Sequence, residues 1–150
     1  MSTLRAAGIT AALPPGWEGG IAEAATLEDG AVRRSVTHIA NFPLPQHRGD
    51  YGGGAVELMG WADALVVLLE FDPSSTDQPL FSTRGLPRSL RPSDFSRDTL
   101  QRRLEGQGGT QHFFREAGRA FCLYVVLGSY VDRIDLIPGV NTVLSKISIS

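Results

Sequence analysis

The alternation of apolar and polar residues in the first half of the chain predicts a series of β-strands. Residues 9–13 alternate in this way, so we predict a strand there that ends at the turn Pro14–Gly16. A second strand is predicted from Val36 to Phe42, before Pro43 and Pro45. The run DALVVLLEF, residues 63–71, is apolar on both faces of a strand. We therefore expect it to lie in the centre of the sheet.

The stretch PPGW, residues 14–17, can be a functional loop or a turn between two strands. Proline and glycine favour the turn, after which Trp17 and Ile21 begin a returning segment. A tryptophan ring buries a large apolar area and its N–H can reach a turn carbonyl, so we expect Trp17 to cover the core. The alternative is an exposed Trp17 that acts as a binding anchor.

The second half of the chain predicts helices around a hairpin. Residues 72–92 are predicted to form a long irregular connection. A helix is predicted after it, capped by Ser96 and ended by Gly106, with Leu100 and Leu104 on one face. Residues 110–128, TQHFFREAGRAFCLYVVLG, predict a hairpin whose turn contains Gly118.

Gly118 and Arg119 are the predicted two-residue loop of that hairpin. This register places Phe114 opposite Leu123 and His112 opposite Val125. One face of the hairpin then carries Phe114, His112, Phe121, Leu123, Val125 and Leu127. The other face carries Phe113, Arg115, Cys122, Tyr124 and Val126.

The last segment predicts a helix with Asp135 as its N-cap and Pro138 in its first turn. Its apolar residues follow a helical stripe, and Ile147 to Ile149 can end as a short strand. This order of elements predicts an α+β fold, an antiparallel or mixed β-sheet packed by helices, in one domain over residues 1–150.

The segments LPPGW, HIANFPL and ALVVLLEF, the apolar hairpin and the C-terminal helix together resemble the α/β sandwich of PsbP-like proteins. The sequences of the segments GRAFCLYVVLG and VNTVLSKISI are also similar to those of small actinobacterial proteins. The resemblance implies a non-enzymatic adaptor or accessory subunit. It carries no functional residue over to this sequence.

Composition narrows the class of protein. The chain has 150 residues, 42% hydrophobic and 20% charged, with a net charge of -2, which is typical of a globular domain without a global attraction to nucleic acid. Cys122 is its one cysteine, so no internal disulfide is expected. The first twenty residues lack the apolar core of a signal peptide, and ALVVLLEF is too short to span a bilayer, so we expect a cytoplasmic protein.

The chain has few candidates for catalysis or metal binding. In the predicted hairpin, Cys122 and His112 lie on opposite faces and three residues apart, and AFCLYVV is the setting of an inert buried cysteine. His38, His47 and His112 are scattered without a ligand motif. We predict no catalytic residue, no metal and no cofactor, although a weak enzyme remains the alternative.

The glycine-rich stretch RGDYGGGAVELMG, residues 48–60, is interpreted as a mobile surface loop. Its three consecutive glycines could bind a phosphate through backbone N–H groups, but the lysine of a P-loop is absent. If the loop is ordered, Tyr51 and Trp61 could form an aromatic contact surface.

Charge is distributed unevenly. Residues 51–83 carry five carboxylates and no lysine or arginine, whereas residues 84–105 carry six arginines against three carboxylates. The arginines can be solvated or contact a protein, and RNA or a small anion is the alternative. The residues that we predict to take part in interactions are Tyr51, Trp61, Arg84, Arg88, Arg91 and Arg102.

These patterns favour a protein-interaction module, a self-associating or partner-bound accessory subunit of an unknown pathway. The predicted surface is the connection 73–92 together with the Tyr51 loop. The second hypothesis is a domain that binds a small anionic ligand, or a weak enzyme, with a pocket between sheet and helices. There Arg115, Tyr124 and Glu70 are the polar residues expected beside the core. A nucleic-acid binder is the third.

Overall fold

A computed structural model describes residues 2–26 and 32–150 of the chain. Within these ranges the chain forms strands, short 3₁₀ turns and a helix, and so has an α+β fold. The strands are β1 (Ser2–Ala6), β2 (Ile9–Leu13), β3 (Glu18–Thr26), β4 (Val32–Ala40), β5 (Ala64–Glu70), β6 (Gly108–Glu116), β7 (Arg119–Leu127) and β8 (Ile147–Ile149). The helix is α1 (Arg133–Ser145).

A five-stranded antiparallel sheet forms the centre of the molecule, with the strands in the order β3-β4-β5-β7-β6. β5 pairs with β4 on one side and with β7 on the other, and every residue of β5 is buried. The prediction that residues 63–71 form the central strand is therefore confirmed. A strand buried on both faces needs a cover on each side of the sheet.

The first cover is a second sheet together with α1. This antiparallel sheet has the order β1-β2-β8 and packs with the helix against alternate residues of the large sheet. Trp17 is half-buried against this core, near Gly139 of α1, and its backbone N–H donates to the Pro14 carbonyl oxygen. The stretch PPGW is thus a turn, as predicted.

The second cover consists of loops. On the opposite face of the large sheet, Cys122, Tyr124 and Val126 pack with the apolar residues of segment 42–59 and with Leu100 and Leu104. Among the described residues no α-helix lies on this face, and the helix predicted from Ser96 to Gly106 does not form.

The prediction of a helix from Ser96 to Gly106 is wrong because tertiary contacts outweigh the helical pattern of this segment. Ser96 pairs with Gly109 through two backbone hydrogen bonds, and its Oγ accepts the Asp98 N–H in a local turn. The Gln101 N–H donates to the Tyr124 hydroxyl at 2.8 Å. The two leucines pack on the second core as parts of an irregular chain, since tertiary contacts override weak local propensity.

The hairpin β6–β7 is confirmed, but its register differs by two residues from the prediction. The loop is Ala117–Gly118, with φ of 54° and 73°, so Phe114 lies opposite Phe121 and His112 opposite Leu123. Ala7–Gly8 joins β1 to β2 with nearly the same angles. Alanine rarely enters this left-handed region, which is why the sequence favoured a loop that begins at glycine.

A shift of two residues leaves every side chain on its predicted face. Phe114, Phe121, Leu123, Val125 and Leu127 face the first cover, and Phe113, Cys122, Tyr124 and Val126 face the second. The helix α1 begins two residues before the predicted cap Asp135, so Pro138 lies inside the helix and not in its first turn. The short strand at Ile147–Ile149 is confirmed as β8.

An ion pair with a buried carboxylate connects the two sheets. The Arg119 guanidinium donates to both carboxylate oxygens of Glu70, from Nε at 2.8 Å and from Nη2 at 2.7 Å. The same carboxylate accepts the Ser35 hydroxyl. Arg119 also donates to the backbone oxygens of Ala7, in the turn between β1 and β2, and of Ser150, directly after β8.

We expect the substitution Arg119→Met to lower the free energy of unfolding by about 3–5 kcal/mol, because it leaves the buried Glu70 carboxylate without its cation. Adding Glu70→Leu removes that charge and should recover part of the loss. Arg103→Met is the matched control, since the Arg103–Asp98 pair is exposed and should change the stability by less than about 1 kcal/mol. Urea unfolding measures all four chains. An equal loss for the two arginine variants would contradict the role of the buried pair.

A second prediction compares the two Ala–Gly turns. Gly8 and Gly118 share a φ of +73°, so replacing either by alanine costs about 1–2 kcal/mol of backbone strain. A Cβ at Gly8 would lie 2.6 Å from Arg119 Nη1 and 2.9 Å from the Ser150 carbonyl oxygen, whereas none of the described atoms crowds Gly118. Gly8→Ala should therefore lower the unfolding free energy by at least about 1 kcal/mol more than Gly118→Ala. Equal losses in urea unfolding would disprove the crowding at Gly8.

Candidate functional site

The loop that follows β4 is fastened to the sheet by a buried histidine. Arg48 Nε donates to His38 Nδ1 at 2.8 Å, so the proton of the neutral ring is on Nε2, which donates to the Asp50 carbonyl oxygen at 2.8 Å. Arg48 also donates to the Pro45 carbonyl oxygen. Burial is the main reason that the pKa of His38 falls from 6.5 to about 4, and the nearby Arg48 cation lowers it further.

The glycines of this loop close turns. The Gly49 N–H donates to the Gly53 carbonyl oxygen, the Gly52 N–H donates to the Gly49 carbonyl oxygen, and the Gly54 N–H donates to a Glu57 carboxylate oxygen. Two of the three consecutive glycines that could have bound a phosphate, Gly52 and Gly54, thus use their N–H groups inside the loop. The segment predicted as a mobile loop is folded onto the sheet, and it roofs a cavity beside Tyr124.

Tyr51 points inward from this loop. Its ring meets that of Tyr124 edge-on, with 5.3 Å between the centroids, and both rings line a cavity of about 260 Å³. Arg102 lines the same cavity and pairs with Glu57 at 3.2 Å. Of the six predicted interaction residues, the structure brings Tyr51 and Arg102 together.

Trp61 points outward from a different turn. Its side chain is 82% exposed, at the tip of the turn Gly60–Asp63. That turn is held at several points: the Gly60 N–H donates to the Asp63 carboxylate at 2.7 Å, and Asn41 donates to the Ala62 carbonyl oxygen. The Gly128 N–H donates to the Asp63 carbonyl oxygen. An exposed tryptophan thus sits on a backbone whose conformation is fixed by hydrogen bonds.

A groove of about 420 Å³ runs beside Trp61. Its apolar walls are Met59, Trp61 and Val131, and its carboxylates are Glu105 and Asp132. None of the described lysines or arginines lines it. Two further exposed apolar residues lie near the wall residues in sequence: Leu58 precedes Met59, and Ile134, at the start of α1, is three residues after Val131. We call this groove the Trp61 groove.

The sequence identified one residue of this groove, Trp61. It missed Val131 and the two carboxylates, because they become neighbours of Trp61 only through the return of β7 into α1. One signal in the sequence could have identified Val131. It is an apolar residue in a polar turn just before the predicted helix, outside the apolar pattern of any predicted strand or helix, and it is exposed.

The predicted arginines do not form one basic surface. Arg88 Nη1 donates to the carbonyl oxygens of Leu144 and Ile147, at the C-terminal end of α1. Arg84 is exposed beside a separate depression that it shares with Arg115, Asp77 and Glu116, and Arg91 is exposed in the connection. Arg97 stacks on the Tyr130 ring at 4.9 Å. Several of these cations are therefore engaged within the molecule.

Cys122 and His112 lie on opposite faces of the hairpin, as predicted. Their separation along the strands is one residue and not three, because of the shifted register. Cys122 is fully buried, and Gln111 donates to its sulfur at 3.5 Å. Among the described residues, no three His, Cys, Asp or Glu side chains form a group that could hold a metal ion. In the same part of the chain, no helix has the length and hydrophobicity needed to cross a membrane.

Comparison of the chain with protein-family models, curated protein sequences and solved structures gave no match. The surfaces on which this protein can bind another molecule are the cavity beneath the loop and the Trp61 groove.

We expect the stability of the protein to fall as the pH is lowered from about 6.5 to 4. Over this range the unfolded chain binds a proton at His38 and the folded chain does not, so the loss reaches about 3 kcal/mol. His38→Gln keeps a donor and an acceptor on an amide and should flatten this dependence. The exposed His47→Gln is the control and should retain it. Urea unfolding at several pH values measures the slope, and a His38→Gln slope equal to that of the unsubstituted chain would contradict this assignment.

Proposed function

We propose that this protein is a non-enzymatic interaction module, an accessory subunit that binds another protein through the Trp61 groove. The observation that carries the proposal is the exposure of Trp61 on a turn that hydrogen bonds hold in place. Tryptophan is enriched among the residues that dominate binding energy. A fixed turn also loses little conformational freedom on binding, which favours affinity.

The charges of the groove specify the chemistry of the partner. Glu105 and Asp132 lie beside the apolar walls, and none of the described cations lines the groove. A matching surface needs an apolar side chain for the space beside Trp61 and a lysine or arginine for the carboxylates. We therefore propose a protein segment in which a leucine, methionine or aromatic residue stands next to a basic residue.

The same charges disfavour self-association through this groove. In a symmetric dimer the groove would meet its own copy, which would bring Glu105 and Asp132 close to the same carboxylates of the second chain. Like charges in contact are unfavourable at an interface. The proposal therefore commits to a different protein as the partner and leaves self-association as an outcome of the test.

Two further expectations belong to this proposal. The arrangement of two antiparallel sheets with one helix supports a PsbP-like sandwich, and with it the adaptor role that this resemblance implies. The second expectation is action in the cytoplasm, which agrees with a chain whose single cysteine cannot form an internal disulfide. Neither is needed for the groove to bind a basic, apolar segment.

We expect a random peptide library selected on the immobilised chain to be enriched in sequences that pair an apolar with a basic residue. A selected peptide, labelled and titrated by fluorescence anisotropy, should lose at least tenfold in affinity with Trp61→Ala, because a central tryptophan commonly contributes 2 kcal/mol or more, and about 1.4 kcal/mol is tenfold. Glu105→Gln with Asp132→Asn should also weaken binding and reduce its dependence on salt.

Leu80→Ala is the matched control, since Leu80 is an exposed apolar residue that does not line the groove. It should leave the affinity unchanged. Enrichment of acidic peptides, or equal binding by the Trp61→Ala chain, would refute the proposal. Light scattering of the unsubstituted chain supplies the remaining outcome: a dimer that Trp61→Ala dissociates would show that a second copy occupies the groove.

A further inference from the structure

A second cavity lies between the glycine-rich loop and segment 100–107, and it shares Gln107 with the lining of the Trp61 groove. Its volume is about 260 Å³. The walls are mainly apolar, formed by Val56, Leu100 and Val126 and by the rings of Tyr51 and Tyr124. These rings stand nearly perpendicular to one another, at 83°. The volume is just below the usual range of about 300–1,000 Å³ for drug-sized ligands, which suits a molecule with a single ring.

Gln107 gives this cavity a buried acceptor. Its Nε2 donates to the Val56 carbonyl oxygen at 2.7 Å, which fixes the orientation of the amide. Its Oε1 is buried and makes no hydrogen bond with the described residues, and the whole residue is only 5% exposed. Because both Gln107 and Val56 line the cavity, the amide lies at its wall. Buried acceptors without a partner are rare in native proteins, so this oxygen indicates a missing donor.

The other polar residues of the lining are Asp50, Gln101, Arg102 and Tyr124. Because Asp50 is a carboxylate, an anionic group of a ligand has to lie at Arg102 and away from Asp50. The Tyr124 hydroxyl accepts the Gln101 N–H, which leaves its own proton to be donated. The Arg102 guanidinium lies at the exposed side, 66% accessible, and contacts Glu57 through Nη1 alone. A planar guanidinium has five N–H donors and binds carboxylates through two of them. The Arg102 guanidinium can therefore bind an anion through its remaining N–H groups, either with the Glu57 contact intact or in place of it.

We propose that this cavity binds a small aromatic carboxylate that carries a hydroxyl or amino group on its ring. The ring lies among Tyr51, Tyr124 and the aliphatic walls, the ring donor is accepted by Gln107 Oε1, and the carboxylate binds Arg102. This site shares Gln107 with the Trp61 groove but contains neither Trp61 nor the carboxylates of the groove, and it makes use of Tyr51 and Arg102, for which the proposed protein contact has no role.

The test titrates the full chain with 4-hydroxybenzoate and follows binding by calorimetry and by ligand-observed NMR. We expect a Kd below about 1 mM. Benzoate, which lacks the ring donor, and phenol, which lacks the carboxylate, should each bind at least fivefold more weakly. Failure of the chain to bind 4-hydroxybenzoate at 10 mM, or equal affinity for all three probes, would overturn the proposal.

Three variants assign the contacts. Gln107→Met should remove the preference for 4-hydroxybenzoate over benzoate, and Arg102→Gln should remove its preference over phenol. Arg103→Gln is the matched control, since this neighbouring arginine pairs with Asp98 and does not line the cavity. It should bind all three probes as the unsubstituted chain does. Retention of both preferences in the Gln107 and Arg102 variants would overturn the assignment.

Leu100→Trp keeps the proposal testable if Gln107→Met does not fold. Leu100 lies in the irregular segment at the cavity wall, so a larger ring there should fill the cavity and abolish binding of 4-hydroxybenzoate. Unchanged binding by a folded Leu100→Trp chain would show that the probe binds elsewhere. Trp61→Ala should bind the probe normally, so a failure of this site and a failure of the protein-binding groove give different results.

Discussion

The two sheets of this protein are joined by the guanidinium of Arg119, whose side chain is 17% exposed. Arg119 is the first residue of β7, directly after the hairpin turn. From there it contacts the Glu70 carboxylate of β5 and two backbone oxygens next to the small sheet, those of Ala7 and Ser150. A buried charge is tolerated only with a partner and with its donors used, and Arg119 satisfies both conditions through groups from separate elements. The ion pair therefore fixes how the small sheet lies on the large one. Hydrophobic contacts alone are not directional and would specify that arrangement less strictly.

The central pair β5 and β7 also explains where the candidate sites lie. Both strands are apolar on both faces, so the sheet needs two covers, but the small sheet and α1 supply only one. The other cover is assembled from loops, whose backbone groups have to find partners individually. His38, Asn41 and Gln107 provide such partners from side chains. Irregular chain packs with gaps between its segments, and the cavity and the Trp61 groove are two of those gaps.

Sequence patterns predicted the parts of the fold that depend on side-chain period. The central strand, the hairpin and the faces of its residues follow from a period of two, which a register shift of two does not disturb. The loop Ala117–Gly118 was not predicted because alanine is unusual at a positive φ, and the helix over 96–106 was wrong because two leucines four apart also fit an extended chain. Trp61 could be selected as an aromatic residue in a polar loop. Val131 and Gln107 could not be joined to it, since no local pattern records which loops meet over a sheet.

The pairing of β2 with β8 has a consequence for the order of folding. It joins Ile9 to Ile149 and Ala11 to Ile147, so the contact spans nearly the whole length of the chain. During synthesis the β1–β2 hairpin can close early, yet its apolar edge stays unpaired until residues 147–149 have left the ribosome. Long-range pairing of this kind is slow to form, and an unpaired edge attracts other strands. Nascent chains of this protein therefore have an interval of exposure to aggregation in which a chaperone that recognises extended apolar segments would be of use.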